Sequence, residues 1–178
     1  MKRMKLFAMG FGFLITAGVA GASNITNDEI AVIADDQARS TKIAMELATI
    51  KTAAQMHRYL QNSPLELSAF SGMTGVQMRE FVSSLTFNDK GLTGFDPTPL
   101  RQLSPSQVYR ILSLFGMQSG TSRIAASPRS DIDHDLNIAP LGIGGEFGDS
   151  DGPFLEGYRC EGQHTCRESQ RAACTSNC

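Results

Sequence analysis

Apolar residues recur at helical spacing in the middle of the chain, most clearly in the stretch from Ser104 to Gly116. Ser104 is a favourable N-cap residue, Pro105 suits the first helical position, and Gln107 completes a capping box. Gly116 follows the last apolar position, where a glycine commonly ends a helix. The pattern predicts an amphipathic helix whose buried face carries Val108, Ile111, Leu112 and Phe115.

Two further segments show apolar residues at the same spacing. The first begins after Thr74 as N-cap and places on one face Met78, Phe81, Val82 and Leu85. The second is predicted as one long helix from about Ser40 to Gln61, ended by Ser63-Pro64 because proline disfavours helical geometry in the residue before it. It is predicted to be central in a bundle, because apolar side chains lie on two sides: Ile43, Leu47, Ile50 and Ala54 on one, Met45, Met56 and Tyr59 on the other.

The segments around these helices complete the predicted fold class. Residues 26–38 offer a capping box at Thr26 and Glu29, although the short IAVIA run within them also fits a strand. The stretch FNDKGLTGFDPTP, residues 87–99, is rich in turn-forming residues and is predicted as a connection. We therefore expect residues 23–118 to form a mainly α domain, a small bundle of three to four amphipathic helices.

Composition changes after residue 118. Residues 119–153 are small, polar and acidic without a sustained period of 2 or 3.6, so they are predicted to be a disordered linker rich in Gly, Ser and Asp. A cysteine-rich C-terminal module follows at residues 154–178, where Thr165 and Glu168 predict one short helix with Thr165 as cap. Its first large side chains either pack on disulfides or dock on the helical domain: Phe154, Leu155 and Tyr158.

The N-terminal residues 1–22 have the three-part layout of a secretory signal peptide. Three positive residues precede an apolar run that ends at a small-x-small site, Ala20-Gly21-Ala22, and cleavage is predicted before Ser23. A retained membrane anchor is disfavoured, because a spanning helix needs about 20 apolar residues and this run is shorter and rich in glycine. The mature chain is expected to be secreted or periplasmic, with no stable membrane span.

The net charge predicted for the mature chain excludes some classes of binding partner. Removal of residues 1–22 takes away three positive charges and changes the formal net charge from −2 to −5. A mildly acidic chain lacks the basic surface of a nucleic-acid-binding protein and the cationic face that favours anionic membranes. The expected partner is therefore an extracytoplasmic protein or a surface ligand, and nucleic acid is excluded.

All four cysteines lie in the last segment: Cys160, Cys166, Cys174 and Cys178. In an exported chain such a cluster is typical of a disulfide framework, and four cysteines allow three connectivities that spacing alone does not distinguish. The competing interpretation is a zinc site with His164 as a further ligand. It is disfavoured because the spacing lacks the short C-x2-C or H-x3-H pair of structural zinc sites. The cysteines are predicted to be structural, and no cofactor is predicted.

A second candidate site lies in the linker, where Asp131, Asp133 and Asp135 stand at alternate positions as at the start of a calcium loop. The pattern then departs from an EF-hand, since Leu136 and Gly142 occupy the places of its glycine and its bidentate glutamate. The three aspartates are candidate ligands of a weak calcium site, and a solvated acidic linker is the favoured alternative.

Common catalytic motifs are missing from the sequence, including G-x-S-x-G, H-E-x-x-H and the P-loop, so no enzymatic activity is predicted. The favoured hypothesis is an exported binding or structural protein that presents a disulfide-stabilised C-terminal module. The alternative is a precursor whose tail is released by cleavage in the linker, because the layout resembles that of secreted peptide toxins and bacteriocins. The tail is net acidic from Glu146 onward, whereas membrane-disrupting peptides are commonly basic, which favours the first hypothesis.

Overall fold

A computed structural model describes residues 27–64, 68–124, 130–133 and 152–178. The helices and strands follow in the order α1 (Asn27–Glu46), α2 (Ala53–Asn62), α3 (Gly75–Ser84), β1 (Thr86–Phe87), β2 (Leu92–Phe95), α4 (Pro105–Ser113), β3 (Phe154–Gly162) and β4 (Thr165–Thr175). Short 3-10 helices cover Thr98–Leu100 and Gln118–Arg123. The predicted signal peptide and most of the predicted linker lie outside the described residues.

Capping boxes start the two helices that the pattern predicted most clearly. In α3 the Gln77 side chain accepts the Thr74 N–H at 2.8 Å, and the Gln77 N–H donates to Thr74 Oγ1 at 3.3 Å. In α4 the Gln107 side chain accepts the Ser104 N–H at 2.9 Å, and Pro105 occupies the first helical position. Both predicted helices are confirmed, since these contacts satisfy backbone groups that a helix start leaves unpaired.

The single long helix predicted from Ser40 to Gln61 is wrong, because α1 ends at Glu46 and α2 begins at Ala53. Thr52 caps the new helix by accepting the Gln55 N–H at 3.2 Å. Ile50 lies in the break, where it is buried and donates its N–H to the Leu114 carbonyl at 2.8 Å. A cap and a buried tertiary hydrogen bond therefore outweigh a continuous apolar pattern. The IAVIA run lies in α1 and is not a strand.

The predicted fold class is also wrong, because the chain contains a four-stranded antiparallel sheet in the order β1-β2-β4-β3. Strand β2 lies inside the stretch predicted as a connection, and β4 occupies the place of the predicted tail helix. Helix propensity is a weak preference that tertiary context overrides, and here β4 pairs with both β2 and β3. No helix among the described ranges is long and apolar enough to cross a membrane.

Aromatic rings hold the helices and the sheet together. Phe81 on α3 is fully buried and lies 6.0 to 6.3 Å from three other rings, measured between centroids: Phe70, Phe95 and Phe115. Phe154, at the start of β3, packs edge-on against Phe95 at 5.1 Å and is also fully buried. The C-terminal segment therefore packs against β2 through Phe154 and contributes to the same core as the helices.

Gly116 brings the end of α4 close to α1. Its φ is +72°, and a Cβ there would lie 2.3 Å from the Ala44 carbonyl oxygen. Gly116→Ala is expected to lower the free energy of unfolding by about 2 kcal/mol or more, because it adds a backbone clash to a left-handed conformation.

Gly157→Ala is the matched control, since its φ is +80° and nothing lies within 4 Å of the added Cβ. It should cost only about 1 kcal/mol for the left-handed conformation. Urea denaturation of both variants measures the difference, and equal losses would contradict the close approach of Gly116 to α1.

Candidate functional site

The candidate site is the hairpin formed by β3 and β4, which is divided into two parts. In the base, residues 154–156 pair with residues 173–175. In the tip, Tyr158, Arg159 and Cys160 pair with Glu168, Arg167 and Cys166, and the chain turns at residues 163–164. Between the two parts Gly157 alone stands opposite residues 169–172. Unequal strands of this kind bend a hairpin, and positive φ values at Gly157 (80°) and Arg171 (59°) lie at this bend.

The bend folds the tip back against the base. Cys166 and Cys174 are eight residues apart on β4, yet their Cα atoms are separated by 6.0 Å. A straight strand of that length would separate them by about 26 Å. The same fold-back brings Cys178 beyond the base to Cys160 in the tip, with Cα atoms 5.6 Å apart.

Two disulfides connect the folded parts, Cys160–Cys178 and Cys166–Cys174. All four cysteines are paired, so the structure selects one of the three connectivities that the sequence allowed. The two bridges are neighbours, because the sulfurs of Cys160, Cys174 and Cys178 all lie within 4.8 Å of one another. His164 was the further ligand of the competing zinc interpretation, and it is not part of this group of neighbouring ligand atoms in the described chain.

Backbone and side-chain hydrogen bonds hold the last residues of the chain against the hairpin turn and against the β1–β2 region. The His164 N–H at the hairpin turn donates to the Cys178 carbonyl at 2.6 Å. Asn88, in the β1–β2 connection, donates its side-chain amide to the Asn177 carbonyl at 2.8 Å, and Thr175 Oγ1 donates to the Leu92 carbonyl. The segment after β4 is therefore bound on one side to the tip and on the other to β2.

Exposed charged side chains cover the tip. Glu161 lies between two arginines, 3.1 Å from Arg159 and 3.3 Å from Arg167, measured between side-chain nitrogen and oxygen. Each arginine is more than half exposed, at 65 and 74 per cent. Exposed ion pairs of this kind contribute about 0–1 kcal/mol to stability, so their larger effect is on the polarity of the surface.

Of the three candidate calcium ligands, the structure describes Asp131 and Asp133, which differ in burial. Asp133 is buried, and its Oδ1 accepts the Ser106 N–H in the first turn of α4 at 2.9 Å. Its Oδ2 accepts the Ser130 hydroxyl at 2.9 Å. Asp131 is exposed, and Asp135 lies outside the described residues. The geometry gives Asp133 a structural role at a helix N-terminus, where a carboxylate is favoured by the helix dipole, and the calcium site stays a prediction.

Asp133→Ala is expected to lower the free energy of unfolding by about 1–2 kcal/mol, because the N-terminus of α4 loses a carboxylate acceptor. Asp131→Ala, at the exposed neighbouring position, should change it by less than about 0.5 kcal/mol. Thermal denaturation with and without added calcium checks both effects. A loss of stability only in the presence of calcium would support the calcium site and contradict the capping role.

A small cleft lies away from the hairpin, between α2, α3 and β1. Its volume is about 150 Å³ and its walls are mainly apolar: Ala53, Met56, His57, Leu60, Val82, Leu85 and Phe87. Among the described residues of this lining, His57 carries the one ionisable side chain.

Sequence reasoning found the four cysteines but missed the bend that unites them. Gly157 is the one sequence signal of that bend, because a glycine inside a strand pattern marks a bulge or a close approach. Arg171 carries no such signal, since arginine rarely adopts a positive φ.

The chain was compared with protein-family models, with curated proteins and with solved structures, and no match was found.

Proposed function

We propose that this chain is an exported binding or structural protein without enzymatic activity, and that the hairpin tip (residues 158–168) is its contact surface. One observation carries the proposal: the base of the hairpin belongs to the sheet and core, while two disulfides hold an exposed tip against it. A surface held in this way loses little conformational freedom when it binds, so more of the contact energy becomes affinity.

The exposed groups indicate the chemistry of the partner. Arginine and glutamate side chains alternate on the tip, and the turn adds the polar residues Gln163, His164 and Thr165, all exposed. Such a surface fits a polar partner with charges of both signs, such as an extracytoplasmic protein or a surface ligand. It does not fit an anionic polymer, whose binding depends on an excess of positive charge.

The contacts of the tail argue against the precursor hypothesis. A peptide released by cleavage in residues 119–153 would have to withdraw β4 from its pairing with β2 at Gly94 and Phe95. It would also remove the Phe154 ring from its contact with Phe95. Both changes expose core surface, which favours a tail that stays attached.

The first test is the intact mass of the exported protein, measured with and without reductant. We expect one species that begins at Ser23 and gains one hydrogen per cysteine on reduction, because the signal is cleaved and all four cysteines are paired. A shorter fragment that contains the cysteines would contradict the attached module and favour the precursor.

The second test is site-specific photo-crosslinking in the exported fraction. A photoreactive residue at Gln163 in the turn should yield an adduct with a discrete partner, whereas one at the exposed Arg110 on α4 should not. Arg159→Ala with Arg167→Ala should weaken the adduct from Gln163, because both arginines lie on the same surface. Adducts of equal yield from Gln163 and Arg110 would count against the tip as contact surface.

A further inference from the structure

The two disulfides of the hairpin are close enough to react with each other. The Cys174 sulfur lies within 4.8 Å of both sulfurs of the Cys160–Cys178 bridge. Thiol–disulfide exchange requires a thiolate to reach a neighbouring disulfide sulfur, and opening either bridge would create such a thiolate beside the other.

A second pairing of the same four cysteines fits the same strand register. Cys160 and Cys166 stand directly opposite each other in the tip, so they share one face of the hairpin. Opposite residues of an antiparallel pair have Cα atoms about 4.5–5.5 Å apart, within the disulfide range of about 4.4–6.8 Å. Cys174 and Cys178 already have neighbouring sulfurs. Bridges Cys160–Cys166 and Cys174–Cys178 therefore require no shift of register.

We infer that the paired disulfides are a thiol-exchange site, which takes a small-molecule thiolate and converts the hairpin between two disulfide isomers. In the observed closed isomer both bridges join the tip to the base side of the bend. In the released isomer one bridge lies within the tip and the other joins Cys174 to Cys178 on the base side. The bend at Gly157 then carries no cross-link, so the tip is free to move while the number of disulfides is unchanged.

The exchange has three balanced steps. The entering thiolate attacks the Cys160 sulfur, forms a mixed disulfide and releases the Cys178 thiolate. The Cys178 thiolate attacks the Cys174 sulfur, forms Cys174–Cys178 and releases the Cys166 thiolate. The Cys166 thiolate attacks the Cys160 sulfur, forms Cys160–Cys166 and expels the original thiolate. The thiol is regenerated, so no oxidant or reductant is consumed.

Exposure determines where the thiolate enters. Cys160 and Cys166 in the tip are half-buried, whereas Cys174 and Cys178 are buried. Attack at Cys166 instead of Cys160 releases Cys174, which attacks Cys178, and the freed Cys160 then attacks Cys166. Both accessible entry points therefore lead to the same released isomer.

Trypsin separates the two isomers directly. Cleavage after Arg159, Arg167 and Arg171 places Cys160 and Cys166 on fragment 160–167, and Cys174 and Cys178 on fragment 172–178. In the closed isomer two bridges join these fragments into one species. In the released isomer they separate, and each fragment carries its own internal disulfide.

The experiment uses the folded, oxidised full-length protein incubated with reduced glutathione, quenched with acid and alkylated before denaturation and digestion. We expect the separate, internally bonded fragments to increase several-fold over the untreated protein, without a matching increase in alkylated cysteine. The inference is overturned if the fragments stay joined, if they separate only as alkylated dithiols, or if Cys160–Cys174 and Cys166–Cys178 accumulate instead.

Hydrogen exchange tests the release of the tip. The His164 amide is bonded to the Cys178 carbonyl at 2.6 Å in the closed isomer, and it should exchange faster after glutathione treatment. The amides of β2 and α4 serve as internal controls and should keep their protection. If His164 stays protected in a sample whose fragments have separated, the disulfides isomerise without freeing the tip and the proposed release is wrong.

Discussion

Phe154→Ala is expected to lower the free energy of unfolding by about 3–5 kcal/mol, the largest single loss that we predict for a tail residue. The Phe154 ring is fully buried and packs edge-on against Phe95 at a centroid distance of 5.1 Å. Removing it creates a cavity at the point where the C-terminal segment enters the core. Urea denaturation under oxidising conditions measures the loss, and hydrogen exchange should show reduced protection in β4.

Tyr158→Ala is the matched control, because Tyr158 is an aromatic residue on the same strand but lies half-buried in the tip. Tyr158→Ala should lower the free energy of unfolding by less than about 1.5 kcal/mol, since the half-buried Tyr158 side chain buries less apolar surface than Phe154 does. If Phe154→Ala costs no more than Tyr158→Ala, the tail is not part of the core, and the precursor hypothesis gains support.

Replacing both Cys160 and Cys178 with serine is expected to remove about 3 kcal/mol of stability, because this bridge restricts the unfolded chain over the longer of the two loops. Replacing Cys166 and Cys174 should remove about 2.5 kcal/mol, since that bridge closes a loop of eight residues rather than eighteen. Thermal and urea denaturation of both double variants test whether loss of the Cys160–Cys178 bridge lowers stability more than loss of the Cys166–Cys174 bridge.

Binding provides the second measurement on the same two variants. Both double variants should weaken the photo-crosslink from Gln163, because each keeps only one of the two bridges that hold the proposed contact surface in place. The core should remain folded, as judged by hydrogen exchange in α3 and α4. Unchanged stability together with an unchanged crosslink would contradict a structural role for the bridges, whereas lost stability with an unchanged crosslink would place the contact surface elsewhere.

Several local features follow from sequence alone. Ser104, Pro105 and Gln107 predict the start of α4, and Thr74 predicts the start of α3, because caps depend on residues that are neighbours in the chain. The cysteine cluster likewise predicts disulfides, which the structure contains. Export before Ser23, a non-enzymatic role and the calcium site stay predictions.

Other features depend on contacts between distant parts of the chain. The GLTGF stretch reads as a turn by composition, yet β2 lies within it because Gly94 and Phe95 pair with Cys174 and Ala173. The residues after Thr165 are good helix formers, yet they form β4 because β3 pairs with them in the tip and both β2 and β3 pair with Ala173 and Cys174 in the base. The break at Ile50 has the same origin, since its N–H is bonded to the carbonyl of Leu114.

Neighbouring residues specify the caps of α3 and α4 and the apolar faces of these helices, and the composition of the last segment supplies four cysteines that are able to pair. Which cysteines pair depends on the folded hairpin, because a bend at Gly157 and residues 169–172 folds the tip onto the base. The two kinds of feature differ in sequence separation. A cap involves residues three positions apart, whereas the pairing of β2 with β4 and the contact of Phe154 with Phe95 join segments about 60 to 80 residues apart, where local preference carries little information.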